Sequence, residues 1–185
     1  MFSYALRFIA MLVAGLGLVG CGAAPAAAPP APAGTAASSQ SAPPGDVVVT
    51  GAVRHPGMTL TLAQLVVMPT HTVMVSFGTA KGIESHTETG VPLVTLLDQL
   101  GLATDPARKD DELSFAVLAI GADGYRALVS YGEISPAHGN RGVLVSLAQD
   151  GTPLARPRLI VPGDVKGGRD VTDLVRLQIT RVVPH

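Results

Sequence analysis

Cys21 is the only cysteine in the chain, so whatever folds after it folds without a disulfide and without a thiolate metal site. Trp is absent, and Tyr and Phe number three and four. The interior therefore has to be built from Val, Leu, Ile and Ala. The 13 basic and 14 acidic side chains leave a net charge of −1 and no basic patch. Nucleic acid is accordingly not an expected partner.

Arg7 is the only charged side chain before Cys21. After it runs an apolar stretch, Phe8-Ile9-Ala10-Met11-Leu12-Val13-Ala14-Gly15-Leu16-Gly17-Leu18-Val19. A short apolar core behind one positive charge, ending in small residues, predicts a signal peptide over residues 1–20. It is too short and glycine-rich to span a bilayer, which takes roughly 20 apolar residues. Leu18-Val19-Gly20-Cys21 resembles the bacterial lipobox, in which Leu, two small or apolar residues and Cys direct lipidation and cleavage. The expectation is a lipoprotein anchored through Cys21; the alternative is a plain secretory signal with a coincidental cysteine. Each buried CH₂ of such a lipid contributes about 0.8 kcal/mol, so several acyl chains anchor firmly. The expected location is the cell envelope, facing the periplasm or exterior. Gly22 after the lipidated residue favours the outer membrane where two membranes exist. Residues 21–45 are nearly all Ala, Pro, Ser and Gly, which predicts an extended tether with nothing to bury.

Residues 46–185 are enough for one domain with its own core. Val47-Val48-Val49-Thr50 predicts a strand. Thr61 predicts the N-cap of a short helix that Pro69 stops. Thr72 to Phe77 alternates like a half-buried strand. Gly78 to Thr89 reads as a polar, irregular loop. Leu93, Leu96, Leu97 and Leu100 have helical spacing, with Pro92 suited to the first turn and Gly101 to the C-terminal cap. Asp123-Gly124 predicts a hairpin, and Tyr131 to Ile134 one helical turn. Further strands are expected at 143–148, 158–161 and 175–180. The fold class read from this order is α+β, strand-rich, with two or three short helices.

The order of elements and four segments resemble the molybdopterin-binding domain of sulfite-oxidase-type oxidoreductases. The segments are Val49-Thr50-Gly51-Ala52-Val53 with Leu60 to Leu65; Gly90-Val91-Pro92-Leu93; Asp123-Gly124-Tyr125 with Glu133-Ile134; and Asp150-Gly151-Thr152-Pro153-Leu154 with Arg158-Leu159-Ile160-Val161-Pro162-Gly163. The resemblance covers nearly all of residues 46–183. It implies a molybdopterin cofactor whose molybdenum takes one protein cysteine after the strand matching Thr72 to Phe77. Here that stretch reads Val75-Ser76-Phe77-Gly78-Thr79, with no thiol. Thr172-Asp173 stands where catalytic relatives carry Lys-Trp. The chain is more similar to small stand-alone exported versions of the domain that lack the cysteine and share Val161-Pro162-Gly163-Asp164 followed by Gly167-Gly168-Arg169. The expectation is a binding or interaction module without cofactor. The alternative is a molybdopterin oxidoreductase using Ser76, or no protein ligand.

The loop carrying Lys166, Gly167, Gly168 and Arg169 is the leading site. Adjacent glycines expose backbone N–H groups, and a guanidinium fork suits phosphate or carboxylate. The resemblance implies that this region lies near the pterin phosphate. The competing reading is a tight turn with Arg169 paired to Asp164 or Asp170. His138 beside Arg141 is a weaker anion candidate. Glu84, His86 and Glu88 alternate and could share a side, but a solvated loop is favoured over a metal site. Expected partners are thus the membrane through Cys21, a small anionic ligand, or another envelope protein.

Overall fold

The structure, a computed structural model, describes residues 44–182. The expected signal peptide, Cys21 and nearly all of the tether lie outside the described residues. In chain order the elements are β1 (Val47–Gly51), β2 (Thr59–Leu60), α1 (Leu62–Val66), β3 (His71–Thr79), β4 (Gly82–Pro92) and α2 (Leu93–Leu100). Then come β5 (Phe115–Gly121), β6 (Arg126–Ser130), α3 (Tyr131–Ile134), β7 (Leu144–Gln149), β8 (Thr152–Ile160) and β9 (Leu174–Arg181). The strands form a five-stranded sheet in the order β2-β1-β9-β5-β6 and a four-stranded sheet in the order β3-β4-β7-β8. Among the described strands, β1 and β9 form the parallel ladder and the other ladders are antiparallel. The α+β class expected from the sequence is the one observed.

The local chemistry explains the helices. Thr61 caps α1 with a reciprocal box: its hydroxyl accepts from the Gln64 amide at 3.2 Å, and the Gln64 side chain accepts from the Thr61 amide at 2.9 Å. Leu93, Leu96, Leu97 and Leu100 of α2 are all buried, as their spacing predicts. Gly101 closes that helix at φ +66°, its N–H donating to Leu97 O at 2.9 Å. The main core joins both sheets to α2, with Val49, Val117, Leu177 and Ile179 from one sheet and Val91, Val145 and Leu159 from the other.

One expectation fails. Residues 78–89 are not an irregular loop but most of a long hairpin, in which β3 and β4 stay in register from His71↔Gly90 to Thr79↔Gly82. The alternation was present but was polar on both sides. Ser85, Thr87 and Thr89 lie on one face, and Glu84, His86 and Glu88 on the other. Since directly opposed residues share a face, Val73, Val75 and Phe77 stand with Glu88, His86 and Glu84. Apolar periodicity cannot signal a strand whose inner face meets a polar cavity in place of a core. The strand at 158–161 is likewise longer than expected. It begins at Thr152, straight after a turn in which Asp150 (φ +51°) and Gly151 (φ +76°) both adopt the left-handed conformation.

Candidate functional site

The four-stranded sheet has two unlike faces. One packs into the main core. The other carries a small apolar cluster, Val75, Leu144 and Ile160, with Val73 and Phe77 packed against it. Beside that cluster, Gly167 and Asp170 of the loop 162–170 join the sheet in lining a half-open cavity of about 380 Å³. Two irregularities in the ladder shape its floor. β4 shifts register against β7 between Thr89 and Gly90, and β7 against β8 between Ser146 and Ala148. The shifts bring Gln149 opposite Glu88 and turn it toward the cavity.

Glu88 is 1% exposed. Its Oε2 accepts from the Ser146 hydroxyl at 2.6 Å, and its Oε1 stands 3.5 Å from Arg158 Nη1. A carboxylate this deep is tolerable only with such partners. At the rim, His86 Nδ1 lies 2.8 Å from Asp150 Oδ2. Asp150 also accepts from the Thr87 amide at 2.8 Å. That amide and the His86 hydrogen bond hold the Asp150 carboxyl below its ordinary value. The Asp150 carboxylate orients the imidazole through Nδ1, and its Nε2 lies 3.9 Å from Glu84 Oε2. Glu84, His86 and Glu88 therefore do share a side. Even so, among the described residues no three His, Cys, Asp or Glu side chains converge to hold a metal ion.

The expected site residues part company. Gly167 lines the cavity, packed so closely that a Cβ there would sit 3.1 Å from the Phe77 ring. Lys166 and Gly168 are exposed. Arg169 is not held out to an anion. Its Nε and Nη2 donate to the two oxygens of Asp164 at 2.7 and 2.6 Å, and its Nη1 donates to Glu133 Oε1 at 2.9 Å. The competing reading named Asp164 correctly but missed Glu133, which α3 supplies. Arg141 joins the same group, 3.4 Å from Asp164 and 3.8 Å from Glu133. His138 stays on its own turn, with Nδ1 3.3 Å from Ser135 Oγ. Ser76 is exposed on the outer face of β3, its hydroxyl 2.6 Å from that of Ser85. The pairing of Glu88 with Ser146 and Arg158 was not legible in the sequence, since these residues are distant in the chain.

This ion cluster has a pH signature. Burial raises the Glu133 pKa, but the hydrogen bonds from Arg169 and Ser130 outweigh it, and the carboxyl lies below its ordinary value of 4.5. Such a group stabilises the fold above that value, and the contribution is lost as pH falls through the folded pKa. Burial pushes Asp170 the other way, so its contribution is present at low pH and lost as pH rises. Arg169→Ala is expected to cost about 1–2 kcal/mol at neutral pH, discounted because the pair is about a third exposed. It should also flatten the acid limb of the stability curve below about pH 5. Urea unfolding of both proteins across pH measures this; parallel acid limbs would remove Glu133 as the titrating partner.

Among solved structures, the chain is similar to the sulfane dehydrogenase SoxCD from Paracoccus pantotrophus, with a TM-score of 0.59 and 20% sequence identity. The likeness covers 73% of this chain and 38% of that one, so the chain spans well under half the length of its neighbour. No family model matches the chain. No curated protein matches it either. At this identity the likeness shows the fold: most of the chain shares the architecture of a part of that enzyme.

Proposed function

We propose that this chain is an exported, lipid-anchored binding module that uses a sulfite-oxidase-type fold without its redox chemistry. The observation that carries the reading is the lining of the cavity under the loop 162–170. A molybdenum-pterin needs a thiolate and cationic groups for its phosphate. Here Ser76 faces away from the cavity, Arg169 is bound on all sides by carboxylates, and Glu84, Glu88 and Asp170 line the space. These residues do not fit the cofactor. What they do form is a half-open cavity with acidic groups in its lining, suited to a small ligand, at the end of a tether suited to presenting it in the envelope, within reach of other envelope proteins.

A molybdopterin-dependent oxidoreductase with no cysteine ligand is the second reading, favoured by the fold shared with a sulfane dehydrogenase. One preparation separates the two. The full chain and its Cys21→Ser variant are produced in a molybdenum-replete bacterial host, fractionated, and assayed for metal and pterin. The expected result is wild-type protein in the membrane fraction, the variant released from it, and neither carrying stoichiometric molybdenum. Molybdenum and pterin near one per chain would overturn the binding-module reading; a variant that stays with the membrane would overturn the anchor.

A further inference from the structure

We propose that the cavity between the β3–β4 hairpin and the loop 162–170 binds a small organic cation, an amine or guanidinium, and not the anion that its fold would suggest. The proposal rests on the binding-module reading and names its ligand class. Three carboxylates, those of Glu84, Glu88 and Asp170, line the space against one guanidinium, that of Arg158. Inside a partly desolvated cavity an incoming anion meets like charge at close range, and a cation the opposite.

The hydrogen-bond inventory points the same way. Glu88 Oε2 is engaged by Ser146, but Oε1 has only the Arg158 guanidinium at 3.5 Å and accepts no hydrogen bond among the described residues. Asp170 uses Oδ1 for the Val161 amide at 2.9 Å, which leaves Oδ2. Glu84 uses Oε1 for the Thr79 hydroxyl at 3.0 Å, which leaves Oε2. The lining is thus rich in acceptors, and its strongest donor, Arg158, already faces Glu88. A ligand that completes this arrangement must be a donor. Ammonium and guanidinium groups bring three and five N–H bonds and no acceptor.

Shape selects among cations. A divalent metal needs several ligand atoms within about 2–2.5 Å of one point, and the acidic and imidazole groups here are spread along a strand and a loop. An extended organic cation engages them one after another. The Phe77 ring lines the same cavity, and an aromatic ring attracts such cations. The volume of about 380 Å³ lies within the usual range for small-molecule sites. Burial holds the Asp170 carboxyl above its ordinary value, with the Asp164 and Glu88 charges adding to it and Arg158 opposing it.

The experiment is calorimetric titration of the full chain with putrescine and with agmatine, with inorganic phosphate and calcium chloride as comparators. The expected result is saturable binding of at least one of the two amines and none of phosphate. Asp170→Asn and Glu84→Gln should each weaken that binding at least about tenfold. Glu84 is 43% exposed in its side chain, so its variant tests the site even if the Asp170 variant folds poorly. No amine binding, or binding unchanged in both variants, overturns the proposal. Calcium binding lost in the same variants, in place of amine binding, overturns it in favour of a metal. Phosphate binding overturns it while leaving the binding-module reading standing. That reading fails only on the separate finding of bound molybdenum and pterin.

Discussion

Arg158→Met is expected to lower the stability of the domain by about 3 kcal/mol, because it leaves the Glu88 carboxylate buried without its counter-charge. Glu88 is 1% exposed and Arg158 sits 3.5 Å away across β7, so solvent cannot readily replace the lost partner. For a domain of this size the loss corresponds to a fall in Tm of roughly 10 °C. Methionine keeps most of the arginine stem's volume, which separates charge from packing. The double variant Glu88→Gln/Arg158→Met should recover most of the loss, since an amide can still accept from Ser146 while carrying no charge. Differential scanning calorimetry of the two single variants and the double completes the cycle. Additive losses would show that Arg158 acts through packing alone.

Gly90→Ala should be at least as damaging. A Cβ at Gly90 would stand 2.1 Å from Val145 O and 2.5 Å from Ser146 Cα, both backbone atoms of the neighbouring strand. No side chain can swing aside to relieve that contact. β4 would have to leave β7 where the register shifts, with a cost of at least about 3 kcal/mol. Gly151→Ala is the control. Its Cβ meets nothing within 4 Å, but φ is +76°, so only backbone strain of about 1–2 kcal/mol is expected. Urea unfolding of both variants reads the difference. Equal losses would mean that the bulge yields, and that close strand approach is not what requires glycine at position 90.

Local chemistry was legible in the sequence, and long-range chemistry was not. The leucine spacing of α2, the Thr61 cap and the Asp123-Gly124 turn each depend on a few adjacent residues, and each appears where those residues predict it. The β3–β4 hairpin was hidden because Glu84, His86 and Glu88 replace the apolar half of its alternation. The site itself depends on pairs that are far apart: Glu88 with Ser146 and Arg158, His86 with Asp150, Arg169 with Glu133. The loop with Lys166 and Arg169 reads as an anion trap only while Glu133 is out of view. Once α3 brings that carboxylate to Arg169, the same residues act as a brace.

That brace has a kinetic consequence. The loop over the cavity is fastened along its length. The Gly78 amide donates to Val165 O at 2.8 Å, the Tyr125 hydroxyl to Gly168 O at 2.5 Å, and the Val161 amide to Asp170 Oδ1 at 2.9 Å, with the Arg169 ion pairs between. A ligand of the proposed kind would therefore meet a wall already formed, and among the described residues no flap has to close over it. Little backbone freedom is lost on capture, so the encounter is limited by passage through the mouth of the cavity, and residence time is set by the contacts inside it. On the proposed binding-module reading, such a wall would let the cavity exchange its ligand quickly.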